Sequence, residues 1–496
     1  MIDAEEAEIA AWLSAQSDKV IETACARVYL AGDTAFKLKR RVDLGYLDYS
    51  TLERRLWALE RELKFNRAAA SDIYRSVRTL TRTNRGELSL DGAGRVVDHV
   101  LEMRRFDETA VLSVQPWAID GDLAEALGRT VAGFHVRADD RPAGGGVKAL
   151  KYTIDSNAHL LTGFGGRLGV ERVKRLVETT YAELSRQGSL LDARAAAGLS
   201  RHCHGDLHLG NILLENDQPI LFDCIEFNDV LSDIDVQYDL AFLLMDLVFR
   251  RRSDAAVRVL SAYFDEAARS WKEPLRAGLA CLPLMLSVRA AVRAHVCANQ
   301  NQDEAARAYL EAALGHLEPK GPSLTAVGGL SGSGKTTFSR LVAPGLAPAP
   351  GAIVLRTDEV RKRQMGVGPG SSLPSSAYSA SLDAQVYGGL LDDARGILKA
   401  GWSVVLDATF IQPDMRAAAR ALADDLDVPF QGAWLDAPAE VLASRIVHRE
   451  GDASDATVAT LRMQMERDVG TMTWRRVDAT GPARDSAEAW IAAIAV

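Results

Sequence analysis

The sequence predicts two unlike folds in tandem: an α+β bilobal domain, then an α/β domain whose mostly parallel sheet is flanked by helices. Three observations predict it. Residues 329–336 read Gly-Leu-Ser-Gly-Ser-Gly-Lys-Thr, directly after an apolar run at 324–327 and ahead of a helix-compatible segment. Residues 204–211 read His-Gly-Asp-Leu-His-Leu-Gly-Asn and lead into Pro219-Ile-Leu-Phe-Asp223, so that two short strand-like runs bring Asn211 and Asp223 together. Between these signatures, Glu318-Pro-Lys-Gly-Pro322 is a turn-rich break. A chain of 496 residues exceeds one ordinary core. We therefore expect domains at 1–318 and 323–496, a linker at 319–322, and lobes at about 1–103 and 104–318 within the first domain.

Along the chain, residues 2–16 have the spacing of an amphipathic helix. Runs at 27–30 and 34–40 flank Ala31-Gly32-Asp33, a hairpin signal. The second run carries Lys37, with Lys39 two residues on and on the same strand face. Residues 50–69 read as a long charged helix with Ser50 as its N-cap, bearing Glu53, Glu60 and Glu62. Strand-like runs follow at 77–81, 88–90 and 96–103, and residues 103–105 fall where a hinge to a second lobe belongs. From about 122 to 315 the pattern is helical apart from the hairpin region at 200–230. Beyond the break, strand-like runs at 324–327, 353–356, 403–406 and 430–435 alternate with helical segments, the order that gives parallel strands with helices on both faces. Residues 366–376, dense in Gly, Pro and Ser, read as a mobile loop or the lip of a site.

Composition narrows the function classes. With 47% hydrophobic and 25% charged residues the chain is of ordinary globular type, and its net charge of −9 argues against general nucleic-acid binding. Cys25, Cys203, Cys224, Cys281 and Cys297 are scattered and without C-x-x-C spacing, which favours reduced thiols over a disulfide or zinc framework. The acidic start lacks a basic leader, and the apolar runs at 240–249 and 279–288 fall short of a membrane span. A cytoplasmic protein with no membrane partner is expected.

The glycine-rich run can turn its backbone N–H groups around phosphate oxygens, with the positive end of the next helix dipole behind them. Lys335 is then expected to reach the β/γ-phosphates of ATP and Thr336 to ligate Mg²⁺, with Gly329, Ser331, Gly332, Ser333, Gly334 and Thr337 completing the nucleotide site. Asp407 closes an apolar run and is the candidate carboxylate supporting Mg²⁺. Asp358 is placed to accept a proton from a substrate hydroxyl, with Arg361 one helical turn on to hold an anionic part of the ligand. Arg445 and Arg449, four apart on a helix that runs into the turn-rich 451–455, have the makings of a basic lid over the nucleotide.

The upstream signature follows the logic of a kinase catalytic loop, H-x-D-x-x-x-x-N with a later metal-binding Asp. Asp206 is the expected proton acceptor, and Asn211 with Asp223 the expected Mg²⁺ ligands. Lys37, with Lys39 the alternative, is expected on the α/β-phosphates, oriented by Glu62, with Glu60 second in line. Met103 is placed at the hinge against the nucleotide. No glycine-rich lid precedes them, because residues 22–27 contain no glycine. Asp239 is expected to brace the catalytic loop or cap its helix. Arg289 and Arg293 share one helix face, for an anionic substrate or for ordinary ion pairs.

On His204–Asn211 with Asp223 and Asp239, residues 20–315 resemble the aminoglycoside phosphotransferase-like family of small-molecule kinases, with its protein-kinase-like bilobal fold. On Gly329–Thr336 with Asp358, Asp407, Arg445 and Arg449, residues 323–496 resemble P-loop kinases of the gluconate-kinase, zeta-toxin and polynucleotide-kinase type. The fused order is similar to a bacterial class of bifunctional kinases. The resemblance implies two ATP·Mg²⁺ sites phosphorylating hydroxyls of a small polar metabolite, a sugar or related compound, and no stable nucleic-acid partner. Two other readings have signals of their own. The glycine-free lid suits a ligand-sensing first domain that regulates the second, and the second domain's resemblance includes nucleic-acid end kinases.

Overall fold

Two-residue alternation along the first hundred residues sends apolar side chains to both faces of one sheet, and a helix covers each face. A computed structural model describes residues 4–494 apart from 46, 319 and 449–456. Strands β1 (Lys19–Glu22), β2 (Ala26–Ala31), β3 (Thr34–Lys39), β4 (Tyr74–Arg82), β5 (Leu88–Leu90) and β6 (Arg95–Arg104) lie in the order β1-β2-β3-β6-β4-β5, antiparallel throughout. One face, with Tyr29, Leu38, Leu80 and Val100, packs on Ile9 and Leu13 of the helix Ala4–Ser14. The other, with Leu30, Ala35 and Leu101, packs on Leu59 of the helix Leu52–Arg67. Lys37 and Lys39 sit on this second face by the same alternation. The helix is capped by Thr51, whose side chain accepts from the Arg54 N–H, and not by the expected Ser50, which bonds Asp48 instead. The short, largely exposed strand β1 gave too weak a periodicity to be foreseen.

The second lobe is helical. Its core is built around Val236–Phe249 and Leu282–Asn299, with Gly121–Arg137, Gly146–Gly163, Val170–Arg194, Ser253–Ala267 and Asp303–His316 packed about them. Two antiparallel pairs interrupt it: β7 (Ser200–His202) with β10 (Asp233–Asp235), and β8 (Ile212–Glu215) with β9 (Gln218–Leu221). Arg104, at the end of β6, pairs bidentately with Glu215 across the hinge. The helical run Glu273–Asn299 is long and apolar enough by composition to cross a membrane, but most of it is buried in this core.

The last domain is a parallel sheet of β11 (Leu324–Gly329), β12 (Ile353–Arg356), β13 (Val404–Asp407), β14 (Phe430–Asp436) and β15 (Arg475–Asp478), ordered β12-β13-β11-β14-β15. The all-buried β11, β12 and β13 have the continuous apolar character of strands covered on both faces. Because β11 is central, the glycine-rich loop leaves the sheet between β13 and β14, beside the carboxyl ends where ligands bind in open α/β sheets.

Candidate active sites

The first cleft lies between the lobes. Lys37 Nζ stands 2.6 Å from Glu62 Oε1 and 2.6 Å from Asp223 Oδ1. The second Glu62 oxygen is 2.7 Å from Lys39 Nζ, which also meets Glu226 Oε1 at 2.5 Å. The Tyr49 hydroxyl donates to that Glu226 oxygen. Two lysines are thus interleaved with three carboxylates. Burial alone would lower the Lys37 ammonium, but Asp223 and Glu62 hold it well above its usual value. Burial likewise opposes ionisation of Asp223, and Lys37 brings its carboxyl below the ordinary range. Sequence left Lys37 and Lys39 as alternatives; the structure puts Lys37 against Asp223 and buries Lys39 behind it. Glu60, the second choice, is exposed.

Asp223 has φ 63°, a left-handed conformation costing a non-glycine residue about 1 kcal/mol or more, and its N–H donates to the Tyr74 hydroxyl. Opposite it, Asn211 Nδ2 donates at 2.9 Å to both the carbonyl and the Oδ2 of Asp206. His208 Nδ1 accepts from the Gly210 N–H, so its proton sits on Nε2, 3.3 Å from Asp206 Oδ2. Burial would raise the Asp206 carboxyl, yet His208, His204 and Arg289 bring it well below the usual carboxylate range. The loop itself is pinned from beneath. Asp239 accepts from the His204 and Gly205 N–H groups and from His135, while the cap of its helix is Asp235. Arg289, buried, donates to the Gly205 and Tyr238 carbonyls, so it serves the loop and not an anionic substrate. Arg293 lies over the Tyr309 ring. Met103 is buried in strand β6, within the core of the first lobe. The turn 23–25 joins β1 to β2 where a glycine-rich lid was missing, and Arg40 ties it down through the carbonyls of Thr23 and Ala24.

The second site is built on the loop after β11. Gly332 and Gly334 have φ of 83° and 84°, and a Cβ on Gly332 would come within 2.4 Å of the Leu442 carbonyl, so glycine is required there. Gly329 also has positive φ, at 146°. The helix Lys335–Val342 begins at Gly334, and Lys335 Nζ bonds the Leu330 carbonyl at 3.0 Å. Thr336 Oγ1 donates to Asp407 Oδ2 at 2.6 Å. Ser331 and Ser333 are buried, while Thr337 is exposed on the first helical turn. Asp358 is half-buried in the first turn of the helix Thr357–Gln364. Arg361, expected on a ligand anion, is instead buried and committed to the Ala377 carbonyl and Asp383. Arg445 clasps the carbonyls of Ala479, Thr480 and Gly481 in the turn after β15. Arg449 lies outside the described residues.

Four residues at these sites carried no sequence signal of their own. Glu226 and Tyr49 complete the lysine network from positions 177 apart. Gln464, in the helix Val458–Met465, accepts the Ser331 N–H at 2.8 Å. Arg356 places Nη2 3.3 Å from Thr336 Oγ1 and Nε 3.4 Å from Asp407 Oδ2.

Comparison with known proteins agrees with the two-part architecture. Residues 58–275 match the phosphotransferase enzyme family and residues 324–468 match an AAA domain. Uncharacterized proteins of Mycobacterium tuberculosis and Mycobacterium bovis are each 34% identical over 481 residues, spanning 93% of this chain and 92% of theirs. Among solved structures, a sugar kinase from Janibacter sp. is similar at 21% identity over 35% of this chain and 95% of its own, with a TM-score of 0.26. A gluconokinase from Sinorhizobium meliloti is similar at 23% identity over 36% and 95%, with a TM-score of 0.25.

Proposed function

The chain belongs to the family of its mycobacterial relatives, a phosphotransferase domain joined to a P-loop kinase domain, and on that premise we propose that it carries two ATP sites, one per domain. Each transfers a phosphoryl group to a hydroxyl of a small polar metabolite, a sugar or sugar derivative. The domain limits we propose are 1–318 and 323–496 about a linker at 319–322, and the separate sheets on either side support them. The five free thiols, four of them buried, favour a reducing compartment, the cytoplasm in this reading.

One observation carries the reading: Lys37, the loop that bears Asp206, His208 and Asn211, and Asp223 come from three separate segments and converge with Glu62 in one cleft. Asp206, kept ionised, takes the acceptor's proton, and Asn211 holds that carboxylate in place. Lys37, oriented by Glu62, meets the phosphate oxygens. In the second site Lys335 and the loop N–H groups hold the phosphates, Asp358 faces the acceptor hydroxyl, and Arg445 shapes the turn beside the nucleotide. Magnesium fits both places, because the donors are all hard oxygens: Asn211 and Asp223 in the first, Thr336 and Asp407 in the second. When bound, ATP supplies the phosphoryl group and Mg²⁺ neutralises its charge.

The test is a kinase screen of a metabolite extract by mass spectrometry, comparing wild type, Asp206→Ala and Lys335→Ala. We expect a phosphorylated product lost in at least one variant. A product lost in only one assigns a substrate to one domain, and a product needing both indicates sequential action. The tied-down, glycine-free turn at 23–25 favours one other reading, a first domain that senses a ligand without turnover. Mg²⁺-dependent phosphorylation that is lost in Asp223→Ala removes it.

A further inference from the structure

The edge strand of the P-loop sheet, β12, is not left to solvent. Helix Ser253–Ala267 of the first domain lies along it, with Val257 buried in the P-loop core beside Phe338 and Val342. Ser261 Oγ accepts the Val354 N–H, satisfying a donor that an edge strand would otherwise expose. Next to it, helix Gly121–Arg137 presents Glu125 and Arg129 to the second domain. Arg340, on the helix that follows the glycine-rich loop, pairs with Glu125. Arg129 Nη2 stands 3.7 Å from Glu359 Oε1, and the same oxygen is 3.5 Å from Arg356 Nη1. Arg356 in turn faces Thr336 and Asp407. The cavity among Glu125, Arg340, Arg356 and Glu359 is about 10 Å³, room for one water at most, and Arg356 and Glu359 are buried, so solvent screens that pair little.

We propose that Arg129 of the first domain is a positioning residue of the second domain's phosphoryl-transfer site, acting through Glu359 on Arg356. The inference rests on the reading of Thr336 and Asp407 as that site's metal-facing pair. Glu359 and Asp407 share one guanidinium from opposite sides. Arg129 fixes Glu359 where it can hold its share. Without Arg129, burial and the neighbouring carboxylates favour loss of the Glu359 charge, since burial, Asp265 and Glu125 already push its carboxyl up to about 7 against the pull of Arg356 and, more weakly, Arg129. Arg356 then turns wholly to Asp407, and a cation must compete with a guanidinium for that carboxylate.

The experiment is titration of the full-length protein with a fluorescent ATP analogue at increasing Mg²⁺, following the binding that Lys335→Ala abolishes. Arg129→Met keeps the aliphatic stem and removes the charge. It is expected to raise the Mg²⁺ midpoint about tenfold, the size of an ordinary coupling between buried charges. Arg129→Lys is expected to recover most of the shift, and Arg129→Met combined with Glu359→Gln to go no further than either alone. A midpoint unchanged or lowered in Arg129→Met overturns the inference, as does additivity in the double variant. A lower melting temperature with an unmoved midpoint shows a purely structural arginine and also overturns it. If Lys335→Ala abolishes no binding, the nucleotide reading of the second site falls, and this inference with it.

Discussion

On the proposed function, the two clefts solve one chemical problem with opposite architectures. In the second domain the candidate phosphate-handling groups are contiguous, an eight-residue run from the end of β11 into the first turn of the next helix, and the backbone is expected to do much of the holding. In the first, the lysine, its carboxylate partners and the candidate proton acceptor come from β3, the helix Leu52–Arg67 and the loops around β8 and β9, and side-chain charge holds them together. A contiguous site tolerates change in its surroundings because its geometry is local. A dispersed site depends on every segment that meets in it, and its buried charges make each partner costly to lose.

The comparison breaks most directly at Asp206. Replacing it with Ala is expected to lower turnover of the first site by about 10²–10⁴-fold, the usual worth of a positioned proton acceptor, with the second site untouched. Turnover of the product assigned to each domain measures this. Equal loss at both sites would show that the clefts act as one.

Glu62→Gln sharpens it next. The side chain is wholly buried and shared by Lys37 and Lys39, so its charge compensates two ammonium groups. Removing one partner of a buried ion pair costs about 3–5 kcal/mol, and thermal unfolding should report a loss of that order. The P-loop equivalent, Asp407→Asn, meets a hydroxyl and one guanidinium in the structure and is expected to cost less stability. A larger loss for Asp407→Asn would invert the contrast between a charge-built and a backbone-built site.

The same contrast explains what the sequence disclosed. Gly329–Thr336 and His204–Asn211 were legible because each packs its chemistry into eight positions, and the parallel sheet because β11, β12 and β13 are apolar runs of strand length. Glu226 was not, since nothing local distinguishes a carboxylate that will meet a lysine 187 positions away. The spacing of Arg361, three residues after Asp358, predicts a ligand contact, but residues 377–383 fold back onto it and take its guanidinium. Strands β1 and β15 leave little signal in the sequence because they are edge strands, short and partly exposed, without a clean period. Spacing reveals residues that act within one turn or loop. It is silent where tertiary packing supplies the partner.

The smallest expected effect probes a single long-range contact of the local site, from Gln464. Gln464 takes the Ser331 N–H from a helix 133 positions downstream, so even the contiguous loop borrows distant acceptors. Gln464→Ala leaves that donor to water and should weaken nucleotide binding about two- to tenfold, matching the ~0.5–1.5 kcal/mol worth of one neutral hydrogen bond. Titrating ATP and ADP in parallel separates two causes. If Gln464 only braces the loop, both nucleotides weaken alike, since the loop serves phosphates common to both. If its amide also meets the terminal phosphate, ATP alone weakens. Unchanged affinity for both would mean that the loop holds its shape from glycine geometry by itself, which would draw the contrast with the first cleft sharper still.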